Sequence, residues 1–143
     1  MLRGAMVAGL VSGLAATEPG LRLRCAIALE RMTRSHAELL HPHTSDVLAA
    51  VLDDRHPDVQ WELARLLPRL DLDPSERRRV LVLLERLLDR SPVAVVRASA
   101  LEAVVELARD HPEHEALASR CLDRASHSSS ASVQARSRRL GHS

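Results

Sequence analysis

Histidine is the residue type in this chain with the broadest chemistry, because imidazole both binds metal ions and carries protons near neutral pH. The chain has eight histidines, and two clusters have ligand-like spacing, His41-x-His43 and His111-x-x-His114-Glu115. In the helical array inferred below, the two clusters lie about 20 Å or more apart. One ion needs its ligands about 2 Å away, and each cluster alone offers only two or three. We therefore predict no metal site and interpret these histidines as solvated turn residues.

Nucleophilic catalysis is the second chemistry that the residue types would allow, since serine, histidine and aspartate are plentiful. No glycine-rich elbow or phosphate-binding loop frames them, and the chain has only five glycines. The carboxylates fall mostly on polar helix faces, where solvation or ordinary ion pairs explain them. The sequence therefore predicts a protein that is not an enzyme, with no cofactor and no small-molecule substrate.

Arginine is the third candidate, because guanidinium groups bind phosphates and carboxylates. Clusters occur at Arg77-Arg78-Arg79 and at Arg136, Arg138 and Arg139. Three consecutive arginines on a helix point in three directions, and Trp61 is the only aromatic residue available for base stacking. The formal net charge of +1 gives no bulk attraction to nucleic acid or anionic membranes. Binding of nucleic-acid phosphates through the arginine clusters stays as the less favoured alternative, and no membrane partner is expected.

The compartment is indicated by the cysteines and by the N-terminal residues. Cys25 and Cys121 lie far apart in different predicted helices, so they form no disulfide framework, and a cytoplasmic location is favoured. The apolar run from Ala5 to Ala16, preceded by Arg3, resembles a signal peptide. It also occupies the place where the repeat described below needs a helix. We favour the helix, with a signal peptide as the alternative.

A recurring pair of residues organises the whole chain. Leu21-Arg22, Val59-Gln60, Val96-Arg97 and Val133-Gln134 lie 38, 37 and 37 residues apart. This period is typical of stacked helical hairpins, in which no single hairpin buries its own apolar face. The sequence thus predicts an all-α protein with one repeat domain over residues 1–143. The repeats are approximately 1–38, 39–73, 74–110 and 111–143.

Proline and apolar periodicity place the helices within these repeats. Six of the seven prolines precede an apolar-periodic stretch, where a missing amide donor costs nothing. Pro68 falls inside such a stretch and should kink or end its helix early. Eight helices are predicted, at 4–16, 20–34, 44–54, 58–70, 75–90, 93–110, 112–125 and 131–140.

The second helix of each predicted hairpin has one apolar face. Counted from Leu21, Val59, Val96 and Val133, the offsets 0, 4, 7, 8 and 11 gather on one side of a helix and should be buried. These positions hold Leu21, Cys25, Ala28, Leu29 and Met32; Val59, Leu63, Leu66, Leu67 and Leu70; Val96, Ala100, Ala103, Val104 and Leu107; Val133, Ser137 and Leu140. The fourth copy is short and polar, as a terminal cap or a chain cut from a longer array would be.

The chain resembles the HEAT-repeat family and the similar short bacterial HEAT-like repeats. The residues that carry the resemblance are Leu52-Asp53-Asp54 followed by Pro57-x-Val59-Gln60, and Leu88-Asp89 followed by Pro92 and Val96-Arg97-Ala98. The resemblance implies a right-handed α-α superhelix of the armadillo-like kind. It also implies a ladder of aspartates with Arg22 and Arg97, the acidic role falling to Asp53 or Asp54, Asp89 and Asp123. Gln60 and Gln134 depart from the family pattern, so the ladder should be incomplete there.

By the same resemblance, the second helices line a concave surface, to which offsets 2, 6, 9, 10 and 13 would contribute. We predict a scaffold that binds a protein or peptide there, with Trp61 as the anchor and arginines steering acidic groups. The predicted partner-binding residues are Trp61, Arg65, Arg69, Ile27, Arg31 and Glu102. The alternative for Trp61 is a filler between neighbouring repeats.

Overall fold

The computed structural model describes residues 2–141, and all its regular elements are helical. The prediction of an all-α chain is confirmed for these residues, among which no strand occurs. The α-helices are α1 (Leu2–Gly13), α2 (Pro19–Thr33), α3 (Thr44–Asp53), α4 (Pro57–Leu66), α5 (Pro74–Arg90), α6 (Ala94–Ala108), α7 (Glu115–Ser126) and α8 (Ala131–Gly141). Short 3₁₀ turns occupy Ala37–His43, Leu67–Arg69 and Pro112–His114. None of the described helices is long and apolar enough to cross a membrane.

Each predicted helix is present, with its ends displaced by at most a few residues. The prolines explain much of this accuracy, since α2, α4 and α5 each begin at a proline, where the fixed φ suits a helix start. The prediction for Pro68 is also confirmed. The helix α4 ends at Leu66, and the chain continues as a 3₁₀ turn through Arg69.

The chain divides into two compact units, Met1–Asp73 and Pro74–Ser143. The division falls at the predicted boundary between the second and third repeats. In the first unit, α1 packs on α2, and α2 packs beside α4. In the second unit, α6 is the central helix, because α5, α7 and α8 all pack against it. The single repeat domain stays a prediction, and each unit is described by itself.

The predicted core positions are buried wherever their helix has neighbours on that side. Every predicted position of the second and third copies is buried, from Val59 to Leu70 and from Val96 to Leu107. Leu21 is the exception, with 39% of its surface exposed. The turn before α2 runs over residues 14–18, two residues longer than the turn over 54–56 before α4, so the start of α2 meets α1 in a different register. Ala28, Met32 and Leu140 are only half-buried.

Two residues expected on the outward stripe are buried instead. Ala98 is 3% exposed, because α6 is covered on several sides by its three neighbours. Glu30 is 2% exposed, because arginines of the first unit surround its carboxylate. Both corrections concern the edge of a helix face, where periodicity alone separates inside from outside poorly.

The recurring Arg or Gln has the same structural role in all four hairpins. Its side chain donates a hydrogen bond to the main-chain carbonyl six residues earlier, in the turn between the two helices. The pairs are Arg22 with Ala16 at 3.0 Å, Gln60 with Asp54 at 3.2 Å, Arg97 with Ser91 at 2.7 Å, and Gln134 with Ser128. The bond closes the turn and satisfies a carbonyl that no helix pairs.

A second recurrence supports the first. The side chains of Asp54, Ser91 and Ser128 each accept a hydrogen bond from the amide two residues later, at 3.0, 3.3 and 3.1 Å. Such local bonds are characteristic of Asp and Ser turns. The first hairpin has Ala16 at this position, which offers only its carbonyl. The spacing of 37 residues between these acceptors was visible in the sequence, and our sequence analysis missed it.

Gly13 permits the close approach of α1 to α2. A Cβ atom on this glycine would lie 2.3 Å from the Sγ atom of Cys25, closer than any real contact. Cys25 and Cys121 are both buried free thiols, in different units. Any larger residue at position 13 must therefore push α1 away from α2.

Candidate partner-binding surface

Five of the six predicted partner-binding residues lie in the first unit, on α2 or on α4 and the turn after it. Trp61 has 38% of its surface exposed, and Arg31 is exposed as well. Ile27 is half-buried, while the side chains of Arg65 and Arg69 are 37% and 18% exposed. The sixth residue, Glu102, belongs to α6 of the second unit.

Arg69 is held by the end of α2. One of its terminal nitrogens, Nη1, donates to the carbonyl of Glu30 at 2.7 Å and to Oγ1 of Thr33 at 3.1 Å. The other, Nη2, donates to Oε2 of Glu30 at 2.8 Å. The arginine therefore binds a carboxylate and an otherwise unpaired helix-end carbonyl together, which ties α2 to the chain after α4.

Glu30 is the centre of this arrangement, since three arginines converge on a carboxylate whose side chain is only 3% exposed. Arg34 binds it through Nε at 3.0 Å and through Nη2, and Arg65 lies 3.4 Å from its Oε1. The hydrogen bonds from Arg34, with further contributions from Arg69 and Arg65, lower the pKa of Glu30 to about 2 against the opposing effect of burial. Glu30 is therefore ionised throughout the physiological pH range.

Glu62 is a second carboxylate in the same place, but its surroundings act in the opposite direction. Its side chain is 8% exposed, and Oε2 has no hydrogen-bond partner, lying 3.6 Å from Nη1 of Arg65. Burial raises the pKa of Glu62; the attraction of Arg65 opposes the shift and the negative charge of Glu30 adds to it. The ionised form of this carboxyl is thus poorly stabilised.

Together these residues form what we call the Trp61 face, a surface with a surplus of positive charge. Its members are Ile27, Glu30, Arg31, Arg34, Trp61, Glu62, Arg65 and Arg69. Four arginines against two glutamates leave a formal charge of 4 − 2 = +2. The outward stripe predicted from the sequence contains all of these residues except Glu62, and the burial of the two glutamates was not predicted. Their i,i+4 and i,i+3 spacing to Arg34 and Arg65 was the available signal.

One ion pair in the first unit matches a rung of the ladder that the HEAT-like resemblance implied. Nε of Arg22 donates to Oδ2 of Asp54 at 2.8 Å, which links the first and second hairpins. In the second unit, Asp89 lies 3.5 Å from Nε of Arg124, and Arg97 donates to the carbonyl of Ser91. Of the two acidic candidates in the second hairpin, Asp54 is therefore the residue that pairs, and Asp53 is exposed.

An open cleft of about 820 Å³ lies beside that rung in the first unit. Small side chains line much of it, including Ala15, Ala16, Ala49 and Ala50, with Arg22 and Asp54 among its polar groups. The Nδ1 atom of His56, also at the cleft, is buried without a hydrogen-bond partner.

The histidine cluster of the second unit gathers around Glu113. His111 and His114 have ring centroids 6.3 Å apart, and their nearest ring nitrogens lie 3.9 and 3.7 Å from the Glu113 carboxylate. A hydrogen bond from its own backbone, together with both histidines and Arg77, lowers the pKa of Glu113. Across residues 2–141, no group of three or more potential ligand side chains has the geometry to hold a metal ion.

The arginine clusters are partly neutralised by acids of the second unit. The side chain of Arg77 is 13% exposed and lies 3.9 Å from Glu113. Arg136 binds the carboxylate of Glu102, and Arg139 lies 3.5 Å from it. Glu102, which the sequence analysis assigned to partner binding, therefore joins α6 to α8 by an ion pair.

Comparisons of the chain with protein-family models, with curated proteins and with solved structures found no match.

Proposed function

We propose that this chain is a non-catalytic, cytoplasmic protein-interaction module that docks an acidic peptide on the Trp61 face. The carrying observation is a half-exposed tryptophan beside a rigid cluster with a surplus of positive charge. Tryptophan and arginine are the residues that dominate interface energetics, and charge complementarity speeds the encounter of partners. Two of the arginines that the partner would meet, Arg31 and Arg65, retain substantial exposed surface.

The proposal includes the HEAT-like architecture, a right-handed solenoid of four hairpins. Its support is the turn bond that recurs in every hairpin, the rung between Arg22 and Asp54, and the side-by-side packing of α2 with α4 and of α6 with α8. These features are what a repeated hairpin needs in order to pack against its neighbour.

The role of Arg69 in the proposal differs from the role that the sequence suggested. Both terminal nitrogens of Arg69 are bound to Glu30 and Thr33, so its charge is already used within the unit. We therefore treat Arg69 as a positioning residue that fixes Glu30. Glu30 in turn orients Arg34 and Arg65. The surface that meets the partner then loses little side-chain entropy on binding.

A peptide display selection on the intact chain tests the proposal. Selected peptides should be enriched in Asp and Glu around an apolar anchor. Trp61→Ala, and separately Arg31→Ala with Arg65→Ala, should weaken their binding by about 30-fold or more, the effect expected of a hot spot. Arg109→Ala with Arg120→Ala removes two exposed arginines of the second unit and serves as the charge-matched control. Selected peptides without acidic enrichment, or equal binding by Trp61→Ala, would contradict the proposal.

Nucleic-acid binding is the second candidate function, and the exposed arginines of α5 support it better than the C-terminal cluster does. Glu102 neutralises part of the C-terminal arginine cluster, and Arg77 is mostly buried beside Glu113. Arg78 and Arg79 are exposed on α5. Arg86 and Arg90 are exposed on the same helix.

A further inference from the structure

The exposed face of α5 carries a row of four arginines, Arg78, Arg79, Arg86 and Arg90, which we call the α5 row. At 100° per residue these positions fall within about a third of the helix circumference, and the row extends over about 18 Å of the helix axis. The sequence analysis considered only the triplet at 77–79 and judged that it forms no single patch. Arg77 does point away from the row, but Arg86 and Arg90 extend the row by about three turns beyond Arg79.

The α5 row has no internal acidic partner among the described residues. No carboxylate lies within 4 Å of any of the four guanidinium groups, in contrast to Arg77 at the start of the same helix and Arg124 of α7. The acids of α5 that could have served are engaged elsewhere. Arg124 of α7 binds Glu85 at 2.6 Å and lies 3.5 Å from Asp89. Asp89 falls within the same sector of α5 and offsets part of the charge, so the four arginines leave a local surplus of positive charge, although the whole chain is nearly neutral.

We propose that the α5 row binds the phosphate backbone of double-stranded DNA. Guanidinium groups bind phosphate oxygens in a forked geometry, and duplex DNA presents regularly spaced charges along a rigid rod. A straight helix with its arginines on one side matches such a rod. Contacts to phosphate oxygens carry no sequence information, so binding through them should be independent of sequence.

The other polyanions fit this face less well. Single-stranded nucleic acid is held largely by base stacking on aromatic side chains, and the only Trp, Tyr or Phe in the chain is Trp61, on α4. A membrane-surface helix inserts a broad apolar face, but here Val82, at 57% exposure, is the one large apolar residue exposed on α5. A protein partner would need a desolvated apolar centre, which a single valine does not supply.

The proposal makes a quantitative prediction for salt dependence. Four phosphate contacts give a slope of log K against log salt of about −3.6, so affinity for a short fluorescein-labelled duplex should fall about 150-fold between 50 and 200 mM KCl. The variant Arg79→Gln with Arg86→Gln and Arg90→Gln keeps one contact, and its slope should be about −0.9. Fluorescence anisotropy over a series of KCl concentrations measures both slopes.

The matched control removes three exposed arginines that belong to neither arginine cluster, Arg24→Gln with Arg109→Gln and Arg120→Gln. It has the same net charge as the α5 variant, so its slope should stay close to that of the unmodified chain. Equal loss in the two variants would show a bulk charge effect and overturn the site, as would duplex binding that neither variant changes. Sedimentation with phosphatidylserine-containing vesicles gives the remaining test. Binding that depends on the α5 row for vesicles but not for the duplex would assign the row to a lipid surface instead.

This site does not depend on the peptide-binding function of the Trp61 face. Trp61→Ala leaves the α5 row intact and should not change duplex affinity. The α5 variant should likewise leave the binding of selected acidic peptides unchanged.

Discussion

In the first unit the packed pair of second helices, α2 and α4, encloses a glutamate; in the second unit the pair α6 and α8 keeps its glutamate outside. The side chain of Glu30 is 3% exposed and is approached by three arginines, while that of Glu102 is 45% exposed and is approached by two. Both glutamates connect neighbouring hairpins. Glu30 would destabilise the fold without its arginine partners, because a buried unpaired charge is not solvated. Glu102 would not, because water solvates an unpaired charge at the surface.

Glu30→Gln should have the largest effect on this comparison. The substitution removes the carboxylate that Arg34, Arg65 and Arg69 share, and breaking such a buried pair costs about 3 kcal/mol. Urea unfolding followed by tryptophan fluorescence measures it in the correct unit, because Trp61 is the only tryptophan and lies in the first unit. A decrease of less than about 1 kcal/mol in the free energy of unfolding would mean that the ion pairs of Glu30 contribute no more than ordinary surface ion pairs.

The next largest effect is expected in acid, where the free energies of unfolding of the two units should respond differently to pH. The pKa of Glu30 falls from 4.5 to about 2 on folding, so its stabilising contribution is complete above about pH 4.5 and is lost as the pH falls towards 2. The tryptophan-detected free energy of unfolding should decrease across this window in the unmodified chain. In Glu30→Gln the decrease should be markedly smaller; an identical acid profile would disprove the assignment.

Glu62→Gln tests the same cluster in the opposite direction. Since burial raises the pKa of Glu62, the folded state binds its proton more tightly than the unfolded state, and stability falls as the pH rises through that pKa. The neutral amide should therefore stabilise the first unit at pH 7 by about 1 kcal/mol, and the gain should disappear in acid. Destabilisation at pH 7 would mean that the ion pair with Arg65 outweighs the cost of burial.

Glu102→Gln should have the smallest effect, about 0.5 kcal/mol or less, because its pairs with Arg136 and Arg139 are solvated. The second unit has no tryptophan, so circular dichroism in urea, which detects the helices of both units, measures the effect by comparison with the tryptophan-detected unfolding of the first unit. Adding 1 M NaCl to the unmodified chain should reproduce most of this small loss, since salt at this concentration screens exposed charges beyond about 3 Å. A loss as large as that for Glu30→Gln would remove the distinction between the two units.

The sequence predicted the helices well because their signals are local. Proline at the first turn, periodic apolar residues and the breaking effect of Pro68 all act within a few residues, and they place α4 and the turn after it correctly. The burial of Val59 and Leu63 followed from the same periodicity.

The charged cluster was not predicted because its contacts are not local. Glu30 and Arg69 are 39 residues apart, and each sits at the border of a helix face, where a shift of a few degrees decides between core and solvent. Similarly, Ala98 is buried because three helices pack against α6. The sequence of α6 alone does not indicate how many helices pack on it.

The turn bond shared by the four hairpins has a consequence for how such a chain changes over generations. The main-chain carbonyl in the turn needs only an N–H donor at the end of a long side chain, and arginine and glutamine both provide one. A duplicated hairpin can therefore replace the charged arginine by the neutral glutamine and keep its turn closed. The net charge of a lengthening array can drift in this way while its backbone is inherited intact.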